Sequence, residues 1–167
     1  DGNRGSACPS FGIQDGGFAM TIVHIGPPHL PILYSLGGAT ERRMREIAAR
    51  QAQQGARVVV YSAESSASSV DYCGAEIRAM EFLFKSVRDA RRLKPDVIHF
   101  HTLAEGAMFT KVLAAGLRAR TVLSFDYFVF RRGKQSPFFS WYKRALNSFS
   151  SLLPVSEYCR QESAEYW

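Results

Sequence analysis

Two histidines that stand two residues apart are the first feature of this sequence that could do chemistry, in the run Asp96-Val-Ile-His-Phe-His101. Because side chains alternate along a strand, His99 and His101 are expected on the same side of a sheet. Such a pair can bind a metal ion, but no third cysteine, histidine or carboxylate stands out in the sequence as a partner ligand. We therefore predict no metal, with His99 hydrogen-bonded in the core and His101 facing a ligand crevice.

A pair of glycines, Gly37 and Gly38, directly precedes a stretch with helical periodicity. Glycines let the backbone approach an anion closely, and the free N–H groups at the start of a helix favour a phosphate there. The chain contains neither GxGxxG nor a GxxxxGKS/T loop. The same pair is also typical of a simple tight turn, so both interpretations stay open at this stage.

Asp126 follows an apolar run at residues 122–125 and is surrounded in sequence by aromatic residues. Its carboxylate is expected at the floor of the crevice, where it could accept a proton or bind a sugar hydroxyl. The alternative is that it caps its own loop, because aspartate is a common turn residue. The chain has no DxD pair, no GxSxG turn and no HExxH helix, which excludes three common kinds of active site.

The elements that must position these residues alternate between short apolar runs and stretches of helical period. This alternation predicts a Rossmann-like, doubly wound, mostly parallel α/β sheet of about six strands with helices on both faces. The expected strands lie at 21–25, 57–61, 75–80, 96–101, 121–125 and 152–155. A helix is expected between Gly38 and Gly55, because Met44, Ile47, Ala48 and Ala52 form one apolar stripe and glycine is a common C-terminal cap. Further helices are expected at 105–115, from Ser136-Pro137 and after Ser156 as N-cap. In such a sheet, ligands bind where the carboxyl ends of the first strand and of the strand at 96–101 meet, at the switch point of the topology.

Bulk composition narrows the functional classes. The chain has 167 residues, 46% of them hydrophobic, and a net charge of +6. We expect a flexible extension at residues 1–19 and one domain at 20–167, without a spanning helix. Three cysteines without CxxC spacing argue against a disulfide framework and favour the cytoplasm. The positive charge suits phosphates, nucleotides or an anionic membrane surface, whereas no motif for nucleic-acid binding occurs.

Three sequence motifs occur in order along the chain: Gly-Gly-Ala-Thr-Glu-Arg at 37–42 leading to Gln-Gly-Ala-Arg-Val at 54–58, Lys-Pro-Asp-Val-Ile-His-Phe-His at 94–101, and Leu-Pro-Val-Ser-Glu at 153–157. From about residue 21 to residue 167 this arrangement resembles the amino-terminal domain of GT-B-fold, family-four retaining glycosyltransferases. The resemblance implies two Rossmann-like domains that face each other across a cleft, of which the carboxyl-terminal, donor-binding domain is missing from this chain. It also implies that this fragment is inactive alone.

The resemblance assigns roles to five positions of this chain. It implies that Gly37 and Gly38 approach the diphosphate of a nucleotide-sugar donor, and that Glu41 and His101 contact the acceptor. Asp126 stands where the family commonly has a histidine at its active centre, and we assign it an acceptor-side role. The implied reaction transfers a sugar to a glycan, lipid-linked or small-molecule acceptor, with retention of configuration and without a cofactor.

Other functions are consistent with parts of this pattern. One is another nucleotide-binding Rossmann protein, such as a dehydrogenase or an epimerase, although the glycine-rich turn after strand one and the acidic end of strand two are absent. Another is a non-enzymatic, partner-binding α/β module. The arginines at 42, 43 and 45 and the basic loop at 131–134 also raise the hypothesis of peripheral contact with anionic membrane, against the simpler interpretation of a solvated helix face.

Overall fold

The computed structural model describes residues 18–27, 31–33, 38–63, 69–80, 83–101, 118–125 and 139–164. This part of the chain forms seven strands and four helices. The strands are β1 Thr21–Ile25, β2 Arg57–Ser62, β3 Val70–Tyr72, β4 Ala75–Ala79, β5 Val97–Phe100, β6 Arg120–Phe125 and β7 Ser151–Pro154. The helices are α1 Ala39–Gln53, α2 Leu83–Arg92, α3 Phe139–Leu146 and α4 Glu157–Ala164.

All seven strands belong to one sheet with the order β3-β4-β2-β1-β5-β6-β7. Every neighbouring pair is parallel except β3 and β4, which are antiparallel. The predicted α/β, Rossmann-like, mostly parallel sheet is therefore confirmed, with one strand more than predicted. The extra strand, β3, joins β4 through a turn at Cys73 and Gly74, which both have positive φ angles of 51° and 85°.

The sheet is covered on both faces by helices that bury apolar stripes. On one face, α2 and the end of α3 pack against alternate residues of the central strands; Phe149 meets Phe100 edge to face at 5.8 Å between ring centroids. On the other face, α1 packs Met44 and Ala48 against β2 and β4. Each buried large apolar side chain stabilises the fold by about 1.5–3 kcal/mol.

Helix α1 begins and ends at glycines, as its sequence predicts. Gly38 is the N-cap residue, in an extended conformation and without a side-chain cap, and its carbonyl accepts a hydrogen bond from the backbone N–H of Arg42 at 3.1 Å. Gly55 follows the helix with a φ of 88°, a left-handed conformation that glycine adopts at little cost. The predicted stripe is confirmed at Met44 and Ala48, and the helix also buries Glu41.

Helix α4 is capped as its sequence predicts. The hydroxyl of Ser156 accepts a hydrogen bond from the backbone N–H of Cys159 at 3.1 Å, which satisfies one of the free donors at the start of the helix. The helix predicted at 105–115, the start of a helix predicted at Ser136-Pro137 and the extension predicted at 1–19 lie largely or wholly outside the described residues. Among the helices described, none has both the length and the apolar character to cross a membrane.

The cysteines differ from the expectation drawn from their number. Cys73 is disulfide-bonded, whereas Cys159 is free and buried. The sequence argued against a disulfide framework, whereas Cys73 does form one disulfide, for which an odd count of cysteines leaves room. The cysteine count consequently no longer favours the cytoplasm.

Candidate functional site

The centre of the sheet contains the switch point that the sequence predicts. Strands β1 and β5 lie side by side, and the chain continues from β1 to β2 on one side and from β5 to β6 on the other. In open α/β sheets, ligands bind in a crevice outside the carboxyl ends of the strands at such a switch point. His101 follows β5 at this edge, and its backbone N–H donates to the carbonyl of Ile25, the last residue of β1, at 2.8 Å.

Three buried histidines line the sheet beneath this crevice, on the face that α1 covers. His24 of β1 is the register partner of His99 of β5, and His101 continues the same alternation. Each ring offers a nitrogen atom within 4.8 Å of one on each of the other two. His24 was not predicted as part of the site, although the histidine at the predicted first strand, which was expected beside the strand that carries the i, i+2 pair, was an available signal.

Hydrogen bonds tie the outer nitrogens of the cluster to polar side chains. Nε2 of His24 lies 2.7 Å from Oε1 of Gln51 on α1, and Nε2 of His99 lies 2.8 Å from Oγ of Ser124 on β6. Inside the cluster, Nδ1 of His24 lies 2.9 Å from Nε2 of His101. His99 is thus hydrogen-bonded in the core, as the sequence analysis expected.

The arrangement of the rings bears on the question of a metal. The premise that the sequence holds no third ligand was wrong, because His24 supplies one within reach of the histidine pair. However, the separation of 2.9 Å between His24 and His101 is that of a hydrogen bond, and the rings of His99 and His101 pack with centroids only 4.0 Å apart. The geometry described is that of a hydrogen-bonded cluster, and the absence of a metal stays a prediction.

Burial keeps all three imidazoles neutral near neutral pH. It lowers the pKa of His24 to about 4, although the hydrogen bond with Gln51 acts in the opposite direction. Burial, followed by the charges of His24 and Arg43, lowers the pKa of His99 to about 3. Burial also holds the pKa of His101 well below 6.5, with smaller contributions from the charges of His99, His24 and Arg43. The charged form is disfavoured because the site is desolvated.

The start of α1 brings Glu41 against Gly38. A Cβ atom added to Gly38 would lie 2.7 Å from Oε2 of Glu41, so the carboxylate lies over the glycine, and Glu41 is only 5% exposed. A carboxylate in the first turn interacts favourably with the helix dipole. It also occupies the position that a side chain at Gly38 would take, so an anion can occupy that position only if Glu41 turns away.

Gly26, which follows β1, lets α1 pack closely against the same edge of the sheet. A Cβ atom on Gly26 would lie 2.6 Å from Cε of Met44 and 3.3 Å from the carbonyl oxygen of Tyr61. The backbone N–H of Gly26 donates to that carbonyl at 3.0 Å. Gly26 therefore fixes how near α1 stands to β1, and with it the reach of Gln51 to His24.

The sequence of residues 36–167 matches the family described as Glycosyltransferase Family 4. The match covers well over half of the 167 residues and includes all three motifs singled out above. The chain belongs to glycosyltransferase family 4. No curated protein is significantly similar to it in sequence.

Membership of glycosyltransferase family 4 confirms the resemblance drawn from the motifs. It favours a glycosyltransferase over the dehydrogenase or epimerase and over the non-enzymatic module, which the sequence analysis left open. Of the residues predicted for the site of this family-4 domain, Gly38, Glu41 and His101 are described. Gly37 and Asp126 lie outside the described residues, so their placement stays a prediction.

Two of the three arginines at the start of α1 in the family-4 domain are engaged within the protein. Arg43 is half-buried, and its positive charge acts on His99 and His101. Arg45 lies over the ring of Tyr72, 5.5 Å from its centroid. Only Arg42 of these three is exposed, which narrows the basic surface that the sequence suggested for a membrane. The basic loop at 131–134 lies outside the described residues.

A polar cavity of about 310 Å³ lies elsewhere in the family-4 domain, between β2, β4 and α2. Arg78 lines this cavity. Its guanidinium donates hydrogen bonds to both carboxylate oxygens of Glu76, at 2.8 and 3.0 Å, and to the hydroxyl of Tyr61 at 3.5 Å. Because Tyr61 is the register partner of Ile25, its side chain lies on the face opposite the histidines. This cavity is therefore separate from the switch-point crevice.

Proposed function

We propose that this chain forms the acceptor-side domain of a retaining glycosyltransferase, which moves a sugar from a nucleotide-sugar to a glycan, lipid-linked or small-molecule acceptor. The observation that carries the proposal is the family-4 match over residues 36–167. It spans both helix α1, which begins after Gly38, and strand β5, which His101 follows beside β1 at the switch point of the sheet.

Gly38 and Gly37 approach the donor diphosphate in this proposal. The backbone N–H groups at the start of α1 carry the positive end of the helix dipole, and a glycine leaves room for phosphate oxygens. Glu41 turns away from Gly38 when the donor binds and accepts a hydrogen bond from an acceptor hydroxyl. The half-buried guanidinium of Arg43 adds positive charge on the same helix turn.

His101 and Asp126 form the acceptor side of the proposed site. His101 stands at the carboxyl end of β5, and Asp126 follows β6, the neighbouring strand. A carboxylate beside a leaving diphosphate would be repelled by it. Asp126 is therefore assigned to an acceptor hydroxyl, which it orients by accepting a hydrogen bond.

The proposed chemistry needs positioning and electrostatic stabilisation rather than a cofactor. A bond forms between the acceptor oxygen and the anomeric carbon on the face that the leaving group vacates, and the bond from that carbon to the phosphate oxygen breaks. The leaving phosphate takes the acceptor proton. A second, donor-binding domain supplies most of the nucleotide contacts, so residues 1–167 alone are expected to be inactive.

The cytoplasm, with peripheral contact at anionic membrane, is the location we propose for this enzyme. The net charge of +6 and the exposed Arg42 on α1 support the membrane contact, since basic surfaces attract anionic headgroups. The disulfide of Cys73 counts against a reducing compartment, so the cytoplasm rests on the sequence-based expectation alone. Co-sedimentation with phosphatidylserine-containing vesicles tests the contact, with Arg42→Ala as the weakened variant. Equal binding to purely zwitterionic vesicles would contradict it.

Release of nucleoside diphosphate from UDP- and GDP-sugars by the full-length enzyme tests the catalytic proposal, with glycan, lipid-linked and simple sugar acceptors. We expect release that depends on the acceptor, and a product with the same anomeric configuration as the donor. Asp126→Asn is expected to raise the KM for the acceptor more than the KM for the donor. Turnover by residues 1–167 alone, or inversion of configuration, would overturn the corresponding part of the proposal.

A further inference from the structure

The buried hydrogen-bond chain from Gln51 to His101 has a defined direction. Oε1 of Gln51 can only accept, so the nitrogen that faces it at 2.7 Å, Nε2 of His24, carries the hydrogen. A neutral imidazole carries one hydrogen, so Nδ1 of His24 is an acceptor. The nitrogen of His101 that faces it at 2.9 Å, Nε2, must then be the donor.

The direction of this chain leaves a lone pair at its far end. Because His101 is neutral and its hydrogen is on Nε2, its Nδ1 atom is an acceptor. That atom is buried and has no hydrogen-bond partner among the described residues, and the whole residue is 1% exposed. Buried polar atoms in native proteins are almost always paired, so an unpaired acceptor at the carboxyl end of β5 indicates a missing donor.

The chemistry of this atom selects the ligand. A lone pair repels phosphate oxygens, which are themselves acceptors, whereas a hydroxyl group can donate to it. The positive charge of Arg43 also opposes protonation of His101, so the imidazole does not become a cation that would attract an anion. The group that fits Nδ1 is therefore a neutral hydroxyl, of which sugars carry several.

We propose that Gln51 and His24 are positioning residues that hold His101 in the Nε2–H tautomer, so that its Nδ1 atom accepts a hydrogen bond from a hydroxyl of the sugar acceptor. This inference rests on the proposed function for the identity of the ligand, but the tautomer itself does not. Gln51 lies on α1, two residues from the end of the helix, and acts on the ligand only through His24.

The direction of the chain is tested by substitutions at Gln51, the half-buried end, where folding is least at risk. Gln51→Lys replaces the acceptor by a donor and should reverse the chain, which moves the hydrogen of His101 to Nδ1. Gln51→Glu keeps an acceptor and should keep the tautomer. Gln53→Lys places the same charge on an exposed position of the same helix and serves as the matched control.

Two measurements test the tautomer of His101 and its role in acceptor binding. Long-range ¹H–¹⁵N NMR of labelled protein reports which nitrogen of His101 is protonated, without any transfer reaction. We expect protonated Nε2 in the wild type, Gln51→Glu and Gln53→Lys, and protonated Nδ1 in Gln51→Lys. Protonated Nδ1 in the wild type, or an unchanged tautomer in Gln51→Lys, would overturn the positioning role.

The second measurement is the acceptor KM of the full-length enzyme with the acceptor found in the transfer assay. We expect Gln51→Lys to raise it roughly fivefold or more, the loss expected for one hydrogen bond, with the donor KM unchanged. Reversal of the tautomer without any change in acceptor KM would overturn the role of Nδ1 in binding. If no nucleotide-sugar supports transfer, the proposed function fails and the claim about the acceptor hydroxyl fails with it, whereas the NMR result still decides the tautomer.

Discussion

Nδ1 of His24 and Nε2 of His101 lie 2.9 Å apart although the two residues are 77 positions apart in the sequence. They meet because β1 and β5 are neighbours at the switch point of the sheet. Together with the hydrogen bond between His24 and Gln51, this contact connects α1 to the end of β5, where family-4 chemistry is proposed. It also concentrates three imidazoles in a desolvated site, with consequences for stability that can be measured.

Acidification should destabilise the fold through these histidines. The pKa is about 4 for His24, about 3 for His99 and well below 6.5 for His101 in the folded chain, against about 6.5 when unfolded. Below pH 6.5 the unfolded state therefore binds more protons, and the free energy of unfolding falls as the pH drops. Above about pH 7.5 the histidines are neutral in both states and no longer contribute to the pH dependence of the free energy of unfolding.

Urea unfolding at about pH 7.5, 6 and 5 measures this dependence, whose slope is at most about 1.4 kcal/mol per pH unit for each imidazole. His99→Gln removes one titrating group while it keeps a hydrogen-bonding side chain for Ser124, and it should flatten the slope. A free energy of unfolding that stays constant from neutral pH to pH 5 would contradict the burial of neutral histidines.

Gly26→Ala should destabilise the fold by about 1–3 kcal/mol, because the added methyl group overlaps Met44 and crowds the carbonyl of Tyr61. In a double-mutant cycle, Met44→Leu should recover part of the loss, since leucine lacks the terminal atom that clashes. Strict additivity of the two substitutions in urea unfolding would show that the crowding comes from elsewhere.

Gly55→Ala should cost about 1–2 kcal/mol for a different reason. The residue has a φ of +88°, but no atom lies within 4 Å of the position of the new methyl group. The loss is conformational, so Gly55→Asn, which tolerates the left-handed region better, should be less destabilising than the alanine variant. Thermal unfolding of the two variants side by side makes this comparison, and equal losses would rule out backbone strain as the cause.

Gly38→Val should separate activity from stability. The φ of −66° at Gly38 is open to any residue, and only the end of the Glu41 side chain stands in the way of a Cβ atom. We expect a loss of stability below about 1 kcal/mol but loss of sugar transfer, because the side chain blocks the diphosphate. Transfer at the wild-type rate by the folded full-length variant would show that Gly38 is only a turn residue.

Ser156→Ala should loosen the start of α4 at a cost of about 1 kcal/mol, because it removes the acceptor for the backbone N–H of Cys159. Ser156→Asp keeps an acceptor and should retain the stability. Hydrogen exchange of the Cys159 amide is the direct readout. Unchanged protection in the alanine variant would mean that the cap does not hold the helix.

The periodicity of the sequence was enough to predict most of the described architecture. The apolar stripe at Met44 and Ala48 predicted α1, and the glycines at 38 and 55 predicted its ends, because caps and stripes are local features. Strand β3 was not predicted. It has only three residues, Val70–Tyr72, two of which are exposed, and it forms an antiparallel pair with β4, the strand that follows it after a short turn.

The sequence by itself determined that His99 and His101 share one face of a strand, because alternation along a strand is a property of the backbone. It could not determine that His24 completes the cluster or that Gln51 ends the hydrogen-bond chain. Nor could it determine that the charge of Arg43 acts on His99 and His101. Those relationships depend on which strands become neighbours and on how closely α1 packs against Gly26. Only the tertiary structure decided them, since contacts between residues 27 or 77 positions apart arise from strand pairing and helix packing rather than from local pattern.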